Sequence, residues 1–497
     1  MTDALIGIDI GTTAVKAGVI STGGGMLARF AAPYPTRRSS GGMVEQDPED
    51  WVTLVLAALE RFAGDGHADR VAAIGLCSQV NTHVFVDAAG RPVAPAMLWQ
   101  DGRAAAEAAE IDAAIAEEDR LAWFGAPMPV DASHALPRML WMARHWPDEW
   151  SRCAHVLLPK DYVLLRLTGT LASDPLSQIG LVGADLDYIA PLLGRMDGAA
   201  ARLPPLVPAT EAAGRVSSGP FAGRPVACGT MDAWAGLVGT GASRAGRASY
   251  LGGTSEILGV ASPEVRNVPG AVVFPKAHGV RLHAAPTQSG GDAAQWFAGM
   301  QGIDLDAMGA LAFRDRTADV PIMFMPQLQG ERAPVWDANL RGGFVGVDRR
   351  TGLGDMAHAV FEGVAFAGRW AFETVRASAG ASPDLVSCGG GGFRSDDWTQ
   401  LRADVFGLAF HRVAAGEPGV LGAAAFAGIM SGAFADLAEA SEALSGTGRI
   451  FEPDPDRHGR YTDRFEVYKQ AVPPVGGIGA GLAGLGSSAH GPGEAAG

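Results

Sequence analysis

Cysteine is scarce in this sequence: only Cys77, Cys153, Cys228 and Cys388 occur in 497 residues, and no two of them share a C-x-x-C spacing. This pattern predicts the reduced, buried thiols of a cytoplasmic protein. The pattern G-x-x-x-x-G-K-S/T is missing, which excludes a P-loop enzyme. Charge, glycine or proline interrupts every apolar stretch before about 18 residues, so we expect no membrane span.

Positive charge is also scarce, because 39 lysines and arginines stand against 54 aspartates and glutamates, for a net charge of -15. This balance disfavours nucleic acids and anionic membranes as main partners, although a local site can still hold a small anionic ligand. No basic segment followed by an apolar run opens the chain, so we expect no signal peptide and a cytoplasmic location. With 47% hydrophobic residues the chain is globular, and its length predicts two domains.

A β-hairpin is predicted near the start, where apolar residues alternate on both sides of Gly11-Thr12-Thr13. The glycine permits positive φ and lets backbone N–H groups converge on an anion, while the hydroxyls and Lys16 supply further donors. The acid Asp9 would repel a phosphate at this turn unless a cation lay between them. The segment therefore predicts a phosphate site with Asp9 as an Mg²⁺ anchor, with an ordinary glycine-containing hairpin as the alternative.

The same pattern returns in ASYLGGTSEILGV, from Ala248 to Val260, around the turn Gly253-Thr254-Ser255. Two phosphate-type hairpins in one chain indicate two related halves. Strand-like and helical runs alternate, which predicts the α/β class; the clearest are strands at 71–76 and 84–86 and helices at 137–145 and 398–406. We expect an N-terminal domain (1–243), a C-terminal domain (244–472) and a tail (473–497) that is disordered because it lacks an apolar period.

A third candidate site lies in SCGGGGFRSDDW, where a strand ends in four glycines and a helix begins near Ser395. Asp396 and Asp397 suit the positive end of the helix dipole. The glycines would let a flat ring or a phosphate approach the backbone. A tight strand-to-helix turn without a ligand is the alternative.

Asp232 stands in GTMDAWAG, directly after a short apolar strand at 225–228. An aspartate in this position often caps a helix. It could also act as a general base that takes the proton of a substrate hydroxyl. In phosphoryl transfer such a base orients the nucleophile, while Mg²⁺ and hydrogen-bond donors stabilise the phosphoryl group.

Together these motifs resemble the FGGY family of carbohydrate kinases, from residue 4 to residue 470, and are nearest to its xylulokinase-like members. The pieces are GIDIGTTAVKAGV, MLWQDGRA (97–104), LLPKDYVLLRLTG (157–169), GTMDAWAG, YLGGTSEILG, QLQGERAPVWDANLRGGFVGV (327–347), GGGGFRSDDWTQLRADVFG and GVLGAAAFAG (419–428). The resemblance implies two actin/hexokinase-like (ribonuclease H-like) ATPase domains with a central cleft. It also implies transfer of the γ-phosphate of ATP to a sugar or polyol hydroxyl.

The resemblance assigns roles residue by residue. Asp232 would be the catalytic base, and Mg²⁺ would be held by Asp9 and Asp232. ATP would be bound by Gly11, Thr12, Thr13, Lys16, Gly253, Thr254, Gly291, Gly391, Gly392 and Asp396. The sugar would be bound by Gln79, Val80, Asn81, Trp99, Asp101 and Asp232. A homodimer is a further expectation from the family.

The sugar side departs from the family pattern. Asn81 stands where other members have a His or Glu that contacts the substrate, and Ala233 replaces the Asn that follows the base. Asparagine donates and accepts hydrogen bonds, so a polyhydroxylated substrate remains reasonable. A pentulose is the expected substrate, with a tetritol, a pentitol, a hexulose or glycerol as alternatives.

Simpler interpretations stay open at several positions. Trp99 and Asp101 could instead be a core tryptophan and a capping aspartate. His83 could be a structural histidine on a strand. Lys160 and Asp161 are interpreted as a structural pair. For the whole chain, an actin- or chaperone-like ATPase without sugar transfer would share the fold, but it has no need of the MLWQDGRA loop and of an acid at a sugar site.

Overall fold

A computed structural model describes residues 2–124, 128–266, 268–314, 320–414 and 417–488 of the chain. Within these ranges no helix is long and apolar enough to cross a membrane. The chain divides into two compact units. The first unit contains the residues up to 243 together with 274–281 and 417–446, and the second contains 244–273, 282–416 and the residues from 447 onward.

Short strands make up most of the extended structure. They are β1 (Ala4–Ile10), β2 (Ala14–Ser21), β3 (Met26–Pro33), β4 (Arg37–Ser39), β5 (Met43–Gln46), β6 (Val71–Ser78), β7 (Val84–Val86), β8 (Ala96–Met97), β9 (His155–Leu157), β10 (Ala212–Arg215), β11 (Pro225–Ala227), β12 (Thr230–Met231), β13 (Ala248–Gly252), β14 (Glu256–Ser262), β15 (Val272–Val273), β16 (Arg281–Thr287), β17 (Met323–Met325), β18 (Gly343–Val345), β19 (Leu385–Gly389), β20 (Ala409–Arg412) and β21 (Arg449–Phe451).

Helices alternate with these strands, which confirms the predicted α/β class. They are α1 (Pro48–Gly64), α2 (Ala105–Ala113), α3 (Glu117–Phe124), α4 (Ala135–His145), α5 (Pro147–Arg152), α6 (Pro159–Thr168), α7 (Ala190–Leu193), α8 (Asp232–Gly239), α9 (Gly291–Gln301), α10 (Leu305–Arg314), α11 (Leu353–Ala379), α12 (Asp396–Phe406), α13 (Pro418–Met430), α14 (Leu437–Ser445) and α15 (Pro455–Ser488). The strands predicted at 71–76 and 84–86 lie in β6 and β7, and the predicted helices lie in α4 and α12.

The first unit is built on a seven-stranded sheet with the order β10-β11-β6-β1-β2-β3, in which β12 also pairs with β6. β1 and β2 form the predicted antiparallel hairpin around residues 11–13. β1 and β12 both run parallel to β6. Leu5, Ile6 and Ile8 of β1 have no exposed surface, so this strand is central to the core and its end is held firmly in place.

Helix α13 packs directly on the middle of this sheet. A side chain at Gly7 of β1 would overlap the carbonyl oxygen of Val420 in α13, and a side chain at Gly422 would overlap the carbonyl oxygen of Ala235 in α8. Gly75 of β6 is equally close to the α13 backbone. The small residues of GVLGAAAFAG therefore allow backbone to lie against backbone.

The two compact units differ from the predicted domains in two segments. The prediction separates the two domains near residue 243 and so assigns 274–281 and 417–446 to the C-terminal domain, whereas the structure places both segments in the first compact unit. The physical reason, for α13, is its close contact with β1, β6 and α8, which depends on glycines that are far apart in the sequence.

The second unit contains another seven-stranded sheet, with the order β15-β16-β14-β13-β19-β20-β21. β13 and β14 form the second predicted hairpin, in which Gly252 lies opposite Glu256. β19 runs parallel to β13, so the glycine-rich turn after β19 begins at the same edge as the 253–255 turn.

Helix α15 passes through the segment that is predicted to be disordered. It extends from Pro455 to Ser488. Residues 473–488 are therefore helical and not disordered as predicted, and residues 489–497 lie outside the described part of the chain. Val472 is buried, and a side chain at Gly476 would overlap Leu340. The helix thus packs partly through small residues, which a search for an apolar period does not detect.

Candidate active site

Three candidate residues of the first unit lie at one edge of its sheet. Asp9 of β1 and Thr230 of β12 both lie opposite Cys77 of β6 in parallel register. Gln79 follows the end of β6, and Asp232 follows the end of β12. The carboxyl ends of parallel strands are the usual location of ligand sites in α/β sheets. The topology therefore brings the two acids to one site.

The thiol of Cys77 experiences the charge of both acids. Burial, followed by the charges of Asp9 and Asp232, holds the pKa of Cys77 well above its usual range. Its Sγ donates a hydrogen bond to the carbonyl oxygen of Gly419 at 3.3 Å. Both carboxylates therefore lie near the end of β6.

One carboxylate oxygen of Asp9 has no hydrogen bond. This Oδ1 atom is buried and has no hydrogen-bond partner among the described residues. Burial raises the pKa of Asp9 to about 6. The charge of Lys16, which lies directly opposite on β2, lowers this pKa, and the charge of Glu417 raises it. Lys16 Nζ lies 2.9 Å from Glu417 Oε2. A buried polar atom without a partner is costly, so the position fits a ligand that supplies one.

The 11–13 turn is held by three side chains from other elements. The Tyr34 hydroxyl donates to the carbonyl oxygen of Gly11. Gln46 Nε2 donates to the carbonyl oxygen of Thr12 at 2.7 Å, and Trp99 Nε1 donates to Thr12 Oγ1 at 3.1 Å. The turn is thus fixed before any ligand binds, which lowers the entropic cost of binding.

Gln79 faces the interior of the first unit. Only 1% of its surface is exposed, and its Nε2 donates to Gln46 Oε1 at 3.2 Å. Since Gln46 also binds Thr12, the two amides connect the end of β6 to the 11–13 turn. Gln79 Oε1 has no hydrogen-bond partner among the described residues, so its contact with a sugar stays a prediction; the neighbouring Val80 is half-buried.

Asn81 adopts a φ of 52°, a left-handed conformation that asparagine tolerates better than most residues. The buried Arg138 donates from Nη1 to the Asn81 carbonyl oxygen at 2.6 Å. Asn81 Nδ2 donates to Ser133 Oγ at 3.0 Å, and the Ser133 hydroxyl donates to Asp131 Oδ1 at 2.6 Å. Asn81 Oδ1 has no hydrogen-bond partner among the described residues, so this acceptor is unsatisfied.

The carboxylate of Asp101 is already bonded within the protein. Its side chain is buried, and it accepts hydrogen bonds from Val44 N at 2.7 Å and from the backbone and guanidinium of Arg103. Both oxygens therefore have partners, which favours the capping interpretation, while the contact between Asp101 and the sugar stays a prediction. Trp99 is half-buried and stays a candidate through its bond to the 11–13 turn.

His83 and Lys160 belong to the core. His83 is buried, its Nδ1 lies 2.9 Å from Arg138 Nη1, and burial together with that guanidinium holds its pKa well below the usual range. Lys160 Nζ lies 2.6 Å from Asp161 Oδ1 and 3.0 Å from Asp174 Oδ1, and all three side chains are fully buried. These groups support packing and are not accessible to a substrate.

Asp232 is the first residue of α8. Its Oδ1 accepts a hydrogen bond from Ala233 N at 2.8 Å, and the residue is half-buried. Thr230 Oγ1 donates to the buried Asp174 Oδ2 at 2.7 Å, which anchors β12 just before this acid. The helix-terminal position and access to solvent suit both the capping and the general-base interpretations.

The second unit brings its predicted ATP residues together around the 253–255 turn. Gly291 N donates to the carbonyl oxygen of Gly253 at 2.9 Å. A Cβ at Gly291 would lie 2.6 Å from that oxygen, so a larger residue would force the two apart. On the other side, a Cβ at Gly392 would lie 3.2 Å from the carbonyl carbon of Gly252. Glycine is therefore needed where the three segments meet.

Exposure separates the remaining ATP candidates of this unit. Thr254 and Gly391 are exposed, and a Cβ at Gly391 would meet no atom within 4 Å. Asp396 is also exposed, but its carboxylate is paired with Arg412 at 2.8 Å and with Arg449. The structure thus leaves room for a ligand at Gly391, whereas it gives Asp396 two protein partners.

Two family models match the chain: the N-terminal domain of the FGGY family of carbohydrate kinases matches residues 4–239, and its C-terminal domain matches residues 248–431. The chain belongs to the FGGY family of carbohydrate kinases. This membership confirms the predicted family, its two-domain fold and a phosphotransferase activity that uses ATP and the alcohol group of a small sugar.

Relatives of this FGGY kinase match it over nearly their whole length. It is 31% identical to the xylulose kinase of Escherichia coli (strain K12) over 94% of this chain and 98% of that protein, and 27% identical to that of Bacillus subtilis (strain 168) over 94% and 96%. The structure of a xyloylose kinase from Brucella ovis has a TM-score of 0.84 and 28% identity, covering 96% of this chain and 100% of that one. Plasmodium falciparum glycerol kinase with ADP shares the fold at a TM-score of 0.81 and 17% identity, covering 95% and 98%.

Several residues that hold the site of this FGGY kinase carry no motif. Tyr34, Gln46 and Arg138 support the 11–13 turn and Asn81 but are not predicted from the sequence. For Gln46 a signal does exist: it takes an inward position in β5, two residues after the buried Val44. A polar residue on the inward face of an alternating strand indicates a buried hydrogen-bond network.

Proposed function

We propose that this FGGY kinase transfers the γ-phosphate of ATP to a hydroxyl group of a pentulose, with Asp232 as the general base. The observation that carries the proposal is the placement of Asp9 and Asp232 at one carboxyl edge of the first sheet. A base in this position accepts the hydroxyl proton as the hydroxyl oxygen attacks the γ-phosphorus and the bond from phosphorus to the β-γ bridging oxygen breaks. Full-length similarity to xylulose kinases supports a pentulose as the acceptor.

Each unit supplies a set of proposed contacts with ATP. In the first unit these are Gly11, Thr12, Thr13 and Lys16, at a turn whose backbone is fixed by Tyr34, Gln46 and Trp99. In the second unit they are Gly253, Thr254, Gly291, Gly391 and Gly392, where the glycines keep the backbone open to a phosphate or a ring. The pairing of Asp396 with two arginines supports a structural role for that residue.

Mg²⁺ fits the donor set of the first unit. Asp9 Oδ1 is buried and has no hydrogen-bond partner in the described part of the chain, and Asp232 lies at the same edge. Among the residues that the structure describes, no three His, Cys, Asp or Glu side chains form a metal cluster. Mg²⁺ in kinases relies instead on one or two carboxylates together with water and substrate phosphates. We propose that Asp9 and Asp232 hold this ion, which neutralises phosphate charge.

Removal of divalent metal should abolish transfer, and Asp9→Asn should weaken the response to Mg²⁺. Asparagine keeps the size of the side chain but loses its negative charge, so the half-maximal Mg²⁺ concentration should rise about tenfold or more. ADP release by EDTA-treated protein over a series of Mg²⁺ concentrations measures this. Asp3→Asn, which removes an exposed acid paired with Arg70 just before β1, is the matched control. A wild-type Mg²⁺ response of Asp9→Asn would contradict the proposal.

The substrate is tested by a coupled ADP-release screen with Mg-ATP across pentuloses, hexuloses, tetritols, pentitols and glycerol. One sharp response to a pentulose such as D-xylulose is the expected result. A sharp response to a different class of sugar or polyol would support the kinase activity but contradict a pentulose as the substrate. Steady ATP hydrolysis that no sugar stimulates would favour an ATP-driven switch and contradict the proposal.

Ser133→Ala should raise the KM for the sugar about fivefold and leave the KM for ATP unchanged. The substitution removes the hydrogen bond that orients the Asn81 amide, and one such bond contributes about 1 kcal/mol. Steady-state kinetics with each substrate varied in turn separate the two constants. Ser151→Ala removes a serine bonded only to the Asp148 carbonyl oxygen in α5 and should change neither. Equal KM values for Ser133→Ala and wild type would show that Asn81 does not bind the sugar.

We further propose that this kinase works in the cytoplasm as a homodimer. The four cysteines are free and buried, as suits a reducing compartment. The dimer is supported by the family resemblance, and light scattering during size-exclusion chromatography tests it.

A further inference from the structure

The second unit contains a fully buried ion pair that none of the assignments above uses. Arg402 of α12 pairs with Glu256, the first residue of β14, and neither side chain has exposed surface. The Tyr250 hydroxyl donates to the other carboxylate oxygen of Glu256. Burial raises the pKa of Glu256 to about 7, whereas the guanidinium of Arg402 lowers it. The arginine therefore helps to keep this buried carboxylate charged.

A buried ion pair contributes little stability, because the cost of desolvating two charges offsets their attraction. The geometry around Arg402 points to a different role. Its Nη1 donates to the carbonyl oxygen of Gly392 at 2.7 Å. The guanidinium also lies 4.0 Å from the ring centroid of Trp398 and 4.3 Å from that of Phe393. A planar guanidinium group that is held by two hydrogen-bond acceptors and two aromatic rings has one defined position.

The two acceptors of Arg402 belong to two different turns. Glu256 directly follows the 253–255 turn, and Gly392 lies in the glycine-rich turn after β19. The backbones of these turns touch, since a Cβ at Gly392 would lie 3.2 Å from the carbonyl carbon of Gly252. A single guanidinium thus bridges the two turns beyond the last residue pair of β13 and β19.

We propose that Arg402 and Glu256 are positioning residues for ATP, which hold the 253–255 and 390–392 turns at the separation that the nucleotide requires without touching it. The inference rests on the proposed function, in which both turns contact ATP. Loss of the guanidinium should therefore weaken nucleotide binding and leave sugar binding unchanged. Arg402→Lys keeps the charge beside Glu256, but a single ammonium lacks the fork that also reaches Gly392.

The test uses the full chain. Calorimetric titration with ADP in the presence of Mg²⁺ gives the Kd for ADP, and steady-state kinetics at varied ATP and at varied sugar give the two KM values. Two variants are compared with wild type: Arg402→Lys, and the neutral pair Glu256→Gln with Arg402→Met. In both, the Kd for ADP and the KM for ATP should rise about tenfold or more, while the KM for the sugar stays within about twofold. The neutral pair leaves no buried charge unpaired, so it stays informative if the single variant does not fold.

Glu362 and Arg464 provide the matched control. Arg464 donates to both carboxylate oxygens of Glu362 in the same unit, and this pair joins α15 to α11. Glu362→Gln with Arg464→Met should lower the melting temperature and leave the Kd for ADP unchanged. If wild type binds ADP and either folded Arg402 variant binds it equally well, the positioning role of Arg402 is disproved and the proposed function still stands. If wild type binds no ADP, the proposed function is overturned with it.

Discussion

Replacing Asp232 with asparagine should lower kcat about 10³-fold and leave the binding of ADP, titrated without Mg²⁺, within about twofold of wild type. A positioned general base typically contributes 10²–10⁴-fold, and an asparagine amide cannot take up the proton of the attacking hydroxyl. The hydrogen bond between Asp232 Oδ1 and Ala233 N can be kept by the amide oxygen, so the start of α8 should stay intact. Transfer is measured as sugar-dependent ADP release, and binding by calorimetry.

Asp47→Asn is the control for this experiment. Asp47 is the N-cap of α1, and its side chain accepts a hydrogen bond from Glu49 N at 3.0 Å, in the same unit but at an exposed helix end. Asparagine is an equally good cap, so both kcat and stability should be unchanged. Transfer by Asp232→Asn at a rate near that of wild type would show that another group accepts the proton.

Gly422→Ala should destabilise the first unit by about 3 kcal/mol, the largest stability effect we expect from a single methyl group. The new Cβ would overlap the carbonyl oxygen of Ala235 and force α13 away from α8. Because α13 also covers β1 and β6, the carboxyl edge with Asp9 and Asp232 should become less ordered. Urea unfolding followed by circular dichroism measures the loss, and activity should fall with it.

The same substitution at Gly64 is the matched comparison. Gly64 is the last residue of α1, and a Cβ there would meet no atom within 4 Å. Gly64→Ala should therefore stabilise the unit by about 0.4–1 kcal/mol through the unfolded state. Equal stability of the two variants would mean that α13 can shift at no cost and that its close packing does not position the site.

Local patterns predict the parts of this fold in which neighbours in sequence are neighbours in space. Alternating apolar residues around Gly11-Thr12-Thr13 and around Gly253-Thr254-Ser255 indicate two hairpins, and the structure forms both. Helices α4 and α12 also follow their local spacing. In each case the signal and the contact that it predicts lie within about 15 residues of each other.

Long-range contacts explain where the predictions differ from the structure. Nothing near Asp101 shows that Val44 will occupy one of its oxygens, and nothing near Gln79 shows that Gln46 will bind its amide. The packing of α13 on β1 joins residues more than 400 positions apart, through glycines that have no side-chain signal. The protein partners of Asp101 and Gln79, and the assignment of α13 to the first unit, were not predicted for this one reason.

The discontinuous first unit has a consequence for synthesis on the ribosome. Its sheet is complete in sequence at residue 243, but the helix that covers β1 and β6 emerges about 200 residues later. At roughly 5–20 residues per second, the nascent chain must wait roughly 10–40 s with this glycine-lined, apolar face uncovered. The unit therefore completes its fold only after most of the second unit has been translated, and a chaperone that shields this face should raise the yield of active protein.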